Sequence, residues 1–242
     1  MPSRERNSIE FKVWGKYALF TDPITKVGGE KFSYQVPTYE ALKGVCKSIY
    51  WKPTLIWVID EVRVMKRIRT QTKGTKPQEF SGGNTLAIYT FLADVEYQVR
   101  AHFVWNEIRL ELKPDQNENK HHNVAKRMLE RGGRQDIFLG TRDCQAYVAP
   151  CGFGTEKSDF DNAGELAFGL MFHGFDYPDE VGGDQLFARF SRPTMIDGVI
   201  RFERPENSTD KRVVRTMVVK AFEVAQNQRA VADEDSELEA LE

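Results

Sequence analysis

Hydrophobic and polar positions alternate along much of this chain, and this period of two predicts β-strands. The first such segment spans residues 9–20. The alternation is strictest over residues 95–105, which predicts a strand with one covered face and one more polar face. Shorter apolar runs predict strands at residues 55–59 and 86–92, and a further strand is predicted at residues 137–149. We therefore expect an extensive sheet in the first 149 residues.

Two other segments show the three- and four-residue spacing of an amphipathic helix. The first carries an apolar stripe made of Leu42, Val45, Cys46 and Ile49. Thr38 is its expected N-cap and Pro53 ends it, so Tyr50 falls at its C-terminal end. The second lies within residues 115–131 and is followed by the glycine pair at 132–133, a common C-terminal stop. Both helices present one apolar face, which we expect to pack on the sheet.

The order of these elements is strand, helix, strand, strand, helix, strand. It predicts an α+β fold class, with a ferredoxin-like (RRM-like, βαββαβ) domain over residues 1–149. After Pro150 the predicted elements are strands at residues 166–175, 185–190, 194–202 and 212–222. The dipeptide at 197–198 is Asp-Gly, a tight hairpin signal. Residues 150–229 are therefore predicted to form a C-terminal antiparallel β-sheet domain.

Charge is distributed unevenly. The 242 residues carry 34 basic and 36 acidic side chains, for a net charge of −2. Six of the acids lie within the last ten residues, so the remainder has 34 basic against 30 acidic residues. We interpret residues 230–242 as an acidic, disordered tail on a mildly basic body.

Composition and motifs exclude several classes of protein. No apolar stretch is long enough to span a membrane, and no secretory signal follows the basic start, so we expect a cytoplasmic protein. Three cysteines without a CxxC motif indicate neither a disulfide framework nor a zinc site. The glycine pairs match neither a Walker A loop nor a GxGxxG fingerprint, so no cofactor is expected.

A basic run without acids extends over residues 63–76, within a predicted arm at 63–81. Its bases are Arg63, Lys66, Arg67, Arg69, Lys73 and Lys76. They fit a solvated hairpin edge about as well as a surface that binds RNA phosphates. Glycines at 74, 82 and 83 indicate a flexible arm, which would suit contact with a nucleic-acid backbone.

The tripeptide Lys120-His121-His122 and the isolated Tyr50 are candidate catalytic groups. Metal-free RNA cleavage needs deprotonation of the 2′-hydroxyl, stabilisation of the phosphorane and protonation of the 5′-oxygen. Histidine suits the proton transfers and lysine the charge stabilisation. The alternative is structural, because His121 falls on the inward stripe of its helix and Tyr50 could be a packed helix-end aromatic. A metal site is not expected, since His102 and His173 are the only further histidines.

Four sequence blocks resemble one CRISPR-associated family. They are YALFTDPITKVGGEKFSYQVPTYEALKGVCKSIYWKP at 17–53, GGNTLAIYTFLADVEYQV at 82–99, GGRQDIFLGTRDCQAYVAPC at 132–151 and FHGFDYPDE at 172–180. They resemble the type I-C "Cas five" proteins, subtype d (also called c), of the RAMP superfamily. The resemblance runs from about residue 9 to about residue 205, and the acidic tail lies outside it.

The resemblance implies an N-terminal ferredoxin-like domain, a C-terminal β-sheet domain and metal-independent cleavage of the CRISPR repeat in precursor RNA. The products would be a 2′,3′-cyclic phosphate and a 5′-hydroxyl. The family's tyrosine lies in SIYWKP, here Tyr50, and its Lys-His pair precedes the second helix, here Lys120 and His121. His122 is kept in reserve, because the histidine doublet leaves the register open by one residue.

The implied partners are CRISPR precursor RNA, the crRNA 5′ handle and the other subunits of the type I-C surveillance complex. A scaffold that holds the handle without cutting RNA is the alternative, and relatives in other type I systems are of that sort. Duplex DNA binding through the basic run is compatible with either function. The joint presence of Tyr50, Lys120 and His121 favours the nuclease, because a scaffold has no need of all three.

Overall fold

The computed structural model describes residues 6–27, 29–78, 80–217 and 219, so the predicted acidic tail lies outside the described residues. The strands are β1 (Ile9–Ala18), β2 (Lys31–Phe32), β3 (Leu55–Val64), β4 (Thr70–Thr75), β5 (Ala87–Trp105), β6 (Ile137–Phe138), β7 (Gln145–Pro150), β8 (Glu165–Ala167), β9 (Met171–Asp176), β10 (Gln185–Ser191), β11 (Thr194–Ile196), β12 (Val199–Arg201) and β13 (Lys211–Thr216). The helices are α1 (Pro23–Val27), α2 (Tyr39–Ile49), α3 (Glu118–Glu130) and α4 (Pro178–Val181), with 3-10 helices at Leu110–Asp115 and Pro205–Asn207.

The fold is a mixture of helices and strands dominated by antiparallel sheets. The main sheet has the strand order β6-β7-β1-β5-β3-β12-β11-β8, while β2 and β4 also pair with β5. β5 is antiparallel to both β1 and β3, and β7 is antiparallel to β1. A smaller sheet has the order β13-β10-β9. The α+β fold class is therefore confirmed at this level.

Helices α2 and α3 form where their sequence patterns predict them. The Thr38 hydroxyl accepts a hydrogen bond from the amide of Ala41 at 3.2 Å and caps α2. The predicted apolar stripe of α2 is buried, and α3 buries Ala125 and Leu129 together with His121. Both helices contact the sheet and each other. The core of the protein lies between them and the apolar positions of β1, β3 and β5.

One prediction for residues 63–105 was wrong, and the arm has a defined pairing. The two strands predicted on either side of Asp94 are one continuous strand, β5, within which Asp94 has a φ of 52°. The arm is a β-hairpin, because β4 pairs with β5 from Thr70–Leu92 to Thr75–Ala87. Gly74 lies within this ladder, so the hydrogen bonds between strands outweigh the flexibility that glycine would otherwise bring.

The strand predicted at residues 137–149 is also interrupted. The chain turns between β6 and β7, where the amide of Leu139 donates to the carbonyl oxygen of Cys144 at 2.9 Å. Gly140 in this turn has a φ of 94°, and a Cβ there would overlap the carbonyl oxygen of Leu19. Only glycine fits this approach, so the turn is fixed by contact with a neighbouring segment.

The strands after residue 150 divide between the two sheets. The predicted strand at 166–175 is two strands, because β8 joins the main sheet and β9 joins the smaller one. The predicted hairpin between β11 and β12 is confirmed, with positive φ angles at Asp197 and Gly198. β12 pairs with β3, so the main sheet is continuous across residue 150. The domain boundary at that residue stays a prediction. Among the helices that the structure describes, none has the length and apolar character to cross a membrane.

Candidate active site

Tyr50 is held at the point where α2 ends and the chain turns toward β3. Its backbone is extended, and its amide donates to the carbonyl oxygen of Cys46 at 2.9 Å. The indole Nε1–H of Trp57 donates to the carbonyl oxygen of Tyr50 at 2.7 Å. Burial of Trp57 in the core thus fixes the backbone of Tyr50. The Tyr50 side chain packs inward, and the residue is 4% exposed.

α3 directs His121 toward Tyr50. The Asn117 side chain caps this helix by accepting from the amide of Lys120 at 3.0 Å. One helical position further on, His121 is 0% exposed and its ring centroid lies 5.7 Å from that of Trp105. The structural alternative considered for His121 is therefore correct as to burial, since the side chain is part of the interior.

Two hydrogen bonds determine which nitrogen of His121 carries the proton. Nε2 lies 2.8 Å from the carbonyl oxygen of Asp115, which can only accept a hydrogen bond, so Nε2 is the protonated nitrogen of the neutral ring. Nδ1 lies 2.8 Å from the Tyr50 hydroxyl and accepts a hydrogen bond from it. The result is a chain of hydrogen bonds from the tyrosine through the imidazole to the backbone of Asp115.

The carboxylate of Asp115 brings Lys120 into the same site. Lys120 Nζ donates to Asp115 Oδ1 at 2.5 Å, and the Thr54 hydroxyl donates to Oδ2 at 2.9 Å. The Lys120 side chain is 54% exposed and remains open to solvent. The structure thus brings Tyr50, Lys120 and His121 together through Asp115. Sequence reasoning missed Asp115, because nothing in the spacing marks the last residue of a 3-10 helix as a neighbour of Tyr50.

The electrostatics of the site keep its groups in defined protonation states. Burial raises the pKa of the Tyr50 hydroxyl, the negative charge of Asp115 raises it further, and Arg134 opposes the shift. The hydrogen bond from Lys120 lowers the pKa of Asp115, against a smaller opposing effect of burial. At neutral pH the tyrosine therefore keeps its proton while Asp115 is an anion.

His122 does not join this group. Its Nε2 lies 3.1 Å from the carbonyl oxygen of Ser8, beside the start of β1. The structure therefore pairs His121, and not the reserve residue His122, with Tyr50. The other histidines lie elsewhere, with His102 Nδ1 2.9 Å from Asp60 Oδ2 and His173 Nε2 3.0 Å from the carbonyl oxygen of Glu203.

The six bases of the predicted RNA-binding run have different surroundings. Arg63 is only 8% exposed, and it bonds the Asp161 carboxylate at 2.5 Å and the carbonyl oxygen of Glu156 at 2.8 Å. Its inclusion in an exposed basic surface was therefore wrong, because its place on β3 lies under the segment around residues 156–161. Lys66 pairs with Asp94 at 2.8 Å. These two positions contribute little free positive charge.

The remaining four bases lie on or near the hairpin. Lys73 Nζ lies 3.3 Å from the ring centroid of Tyr17, a cation–π contact. Arg67, Arg69 and Lys76 are exposed. The basic surface of the hairpin is thus smaller than the sequence predicts.

No group of three His, Cys, Asp or Glu side chains that could hold a metal ion occurs among residues 6–27, 29–78, 80–217 and 219. The hydrogen-bonded site around His121 has one carboxylate and one histidine. It lacks the additional ligands that a divalent cation normally requires.

Known proteins resemble this chain over most of its length. A family model described as "CRISPR-associated protein (Cas_Cas5)" matches residues 8–203. A protein of Mannheimia succiniciproducens named "CRISPR pre-crRNA endoribonuclease Cas5d" is 32% identical over 167 residues, covering 59% of this chain and 72% of that protein. A Thermus thermophilus protein of the same name is 28% identical over 195 residues, covering 76% of this chain and 80% of that protein.

The fold agrees with these sequence relationships. A solved structure described as "Crystal Structure of CRISPR-associated Protein" is 33% identical, with a TM-score of 0.72. The match covers 85% of this chain and 96% of that one. Since the family model spans most of the sequence, this chain belongs to the Cas5d family of CRISPR-associated proteins.

Proposed function

We propose that this protein is a metal-independent endoribonuclease that cuts CRISPR precursor RNA within the repeat. The observation that carries the proposal is the hydrogen-bonded chain from Tyr50 through His121 to Asp115, next to the exposed ammonium of Lys120. The names of the Mannheimia and Thermus relatives, both pre-crRNA endoribonucleases, support the same activity. A scaffold that only binds RNA would not require this arrangement of proton-transfer groups.

In the proposed reaction the 2′-oxygen attacks the scissile phosphorus and the 5′-oxygen leaves. The Tyr50 oxygen accepts the proton of the 2′-hydroxyl while its own proton passes to Nδ1 of His121. This assignment follows from the difference in burial: Tyr50 is 4% exposed and His121 is 0% exposed, so of the two residues only the tyrosine has surface that a substrate could contact, and His121 acts through it. The roles expected for the two residues are thus combined in one relay.

Lys120 acts at the phosphate. Its ammonium stabilises the charge on the phosphorane oxygens and gives a proton to the departing 5′-oxygen, and solvent then restores both groups. The products are a 2′,3′-cyclic phosphate and a 5′-hydroxyl. Because the nucleophile belongs to the RNA, neither a metal-bound water nor a cofactor is needed.

We propose that β1, α2, β3, β5, α3 and β7 form the ferredoxin-like unit expected for residues 1–149. The spatial order β7-β1-β5-β3, with every neighbouring pair antiparallel, supports this assignment. In this arrangement the C-terminal end of α2 and the N-terminal end of α3 lie on one face of the sheet, where Tyr50 and His121 meet.

After cleavage we propose that the protein stays bound to the crRNA 5′ handle within the type I-C surveillance complex in the cytoplasm. The exposed bases of the hairpin, Arg67, Arg69 and Lys76, are the proposed contacts to RNA phosphates. Competition with duplex DNA would show whether the same surface also accepts DNA.

The test of this function is the cleavage of labelled repeat RNA in EDTA, with analysis of the end groups. We expect cleavage to persist and to leave a cyclic phosphate. A repeat with 2′-deoxyribose at the scissile nucleotide should bind with similar affinity and stay intact, since it lacks the nucleophile. Strict dependence on a divalent cation, or cleavage of the deoxy substrate, would contradict the mechanism.

Tyr50→Phe provides the matching protein variant, because it removes only the hydroxyl. We expect its single-turnover rate to fall by about 10²–10⁴-fold, the usual contribution of general acid–base catalysis. Tyr147→Phe is the control, since the Tyr147 side chain is exposed on β7. Equal rates for the two variants would remove Tyr50 from the reaction.

A further inference from the structure

We propose that Asp115 is a positioning residue of this site: its carboxylate fixes the Lys120 ammonium beside the Tyr50–His121 pair and balances the charge that His121 acquires. The inference rests on the proposed ribonuclease function and adds a residue to it. It is drawn from four contacts that converge on Asp115, none of which the sequence pattern indicates.

The first argument is geometric. Asp115 is the last residue of the 3-10 helix Leu110–Asp115, just before α3. Its carbonyl oxygen accepts from the amide of Asn117 at 2.8 Å as well as from His121. Asn117 is itself the N-cap of α3. The backbone of Asp115 is thus held by the same turn that starts the helix, which keeps its carbonyl oxygen within hydrogen-bond distance of His121 Nε2.

The second argument is that the carboxylate joins the two halves of the site. Oδ2 accepts from the hydroxyl of Thr54, which follows Tyr50 in the turn between α2 and β3. Oδ1 accepts from Lys120 of α3. Thr54 is buried, and its carbonyl oxygen accepts from the amide of Asn106 at 2.9 Å. Because burial and this backbone hydrogen bond position the threonine, its hydroxyl orients the carboxylate toward the lysine.

The third argument concerns charge during the reaction. When the Tyr50 proton reaches Nδ1, His121 becomes an imidazolium with its Nε2–H still directed at Asp115. Asp115 Oδ2 lies 3.3 Å from that nitrogen, so a negative charge is already in place before the proton moves. Asp115 stays an anion throughout and transfers no proton. The Lys120 ammonium gives one of its three donors to Asp115 and keeps two for phosphate oxygens.

Asp115→Asn tests the inference, because it removes the charge while keeping the size of the side chain and the backbone contacts. We expect the single-turnover rate to fall by about 10–100-fold, as for other residues that orient a reacting group, with the RNA dissociation constant changed less than about threefold. Thermal unfolding should remain cooperative.

The pH–rate profile is the readout that a purely structural role would not move. His121 faces the Tyr50 hydroxyl and the Asp115 carboxylate. The other charged groups near these two are Lys120, which pairs with Asp115, and Arg134, which acts on Tyr50. Without the Asp115 charge, transfer of the Tyr50 proton to His121 places an uncompensated positive charge in the interior, so the pH–rate profile should differ from that of the wild type. Glu118→Gln is the matched control: it removes an exposed acid of the same segment and should leave both rate and profile unchanged.

Thr54→Val supplies a second variant, since it removes the hydrogen bond that aims the carboxylate but keeps the charge. We expect a rate loss of about threefold to tenfold, with the pH profile of the wild type. Wild-type rates and profiles for both Asp115→Asn and Thr54→Val would overturn the role of Asp115 and leave the ribonuclease function standing. An Asp115→Asn protein that unfolds, beside a Thr54→Val protein of full activity, would also overturn it. Wild-type protein that leaves repeat RNA intact would overturn the proposed function itself.

Discussion

A histidine without solvent contact can take part in proton transfer when a tyrosine connects it to the substrate. Here the ring of His121 packs against Trp105 and Phe103, while its two nitrogens form hydrogen bonds with Tyr50 and Asp115. The same residue is therefore needed for packing and for the proposed chemistry. Substitutions at His121 should change stability and activity together, whereas Tyr50→Phe should separate them.

The histidine doublet gives a direct comparison of two adjacent residues. His121→Ala should lower the free energy of unfolding by about 2–4 kcal/mol, because it leaves a cavity and an unpaired Tyr50 hydroxyl. His122→Ala, at a partly exposed position, should cost about 1 kcal/mol or less and leave cleavage within about threefold of wild type. Urea unfolding and single-turnover cleavage measure the two quantities. A stable His121→Ala protein with normal cleavage would show that the site lies elsewhere.

At the level of single residues, the sequence indicated some of the site and missed the rest. Helical spacing placed His121 on the inward stripe of α3, and family resemblance pointed to Tyr50 and Lys120. Asp115 escaped notice because its contacts depend on how a 3-10 helix joins α3. Arg63 was misjudged because it was assigned to the RNA-binding run from charge alone, and charge does not show that residues 156–161 cover the side chain.

Among the elements, the β4–β5 hairpin is the one whose proposed function can be tested by charge alone. The double variant Arg69→Gln/Lys76→Gln should weaken RNA binding and flatten its dependence on salt. The log–log slope should fall by about 1.4, since each of the two lost phosphate contacts on single-stranded RNA removes about 0.7. Lys66→Gln is the control, because Lys66 already pairs with Asp94. Identical slopes for the double variant and wild type would make the hairpin a solvated edge.

Helices and strands were predicted correctly where the local sequence signals were strong. α2 has a capping threonine, an apolar stripe and a proline stop, and it forms where predicted. β5 was divided in two because Asp94 interrupts the alternation, yet pairing with β1 on both sides of that residue, at Ala93 and Val95, carries the strand through it. Residues 137–149 were merged although the Gly-Thr-Arg-Asp stretch at 140–143 interrupts their apolar character, and a turn in contact with Leu19 separates β6 from β7. Long-range pairing decided the first case, whereas the second had a local turn signal.

Across the whole molecule, the smaller sheet is attached to α2 through a buried polar cluster. The His173 ring stacks on Tyr39 with centroids 4.3 Å apart. Arg189 donates to His173 Nδ1 at 3.3 Å and also pairs with Asp176. Lys43 of α2 pairs with Glu180 of α4. The contacts of Tyr39 with His173 and of Lys43 with Glu180 join segments more than a hundred residues apart in sequence, so no local pattern could have predicted them.

This cluster predicts that stability depends on pH. Burial, assisted by the charge of Arg189, lowers the pKa of His173 to about 4, whereas an exposed histidine in the unfolded chain titrates near about 6.5. Between these values the unfolded state binds more protons, so stability falls as pH drops from about 6.5 to about 4, by about 3 kcal/mol. The other charged groups facing this ring are Asp176 and Lys43.

His173→Gln tests this pH dependence, because glutamine retains a donor and an acceptor but does not titrate. Denaturant unfolding at intervals from pH 7 to pH 4 should show a smaller loss of stability for the variant than for the wild type. Carboxylates titrate in both proteins, so the difference between the two curves isolates His173. Parallel curves would show that His173 makes no contribution to acid sensitivity.

The unusual length of β5 has a mechanical consequence. One end of this strand forms the hairpin with β4, and the other places Phe103 and Trp105 against His121. From Thr90 to Trp105 the strand extends about 50 Å at about 3.3 Å per residue. An RNA bound at the hairpin and cut beside Tyr50 would span a fixed distance, because one continuous strand in the middle of a sheet joins the two places. If the RNA between the bound segment and the cleavage site were longer than this distance, the extra nucleotides would have to bulge or loop out.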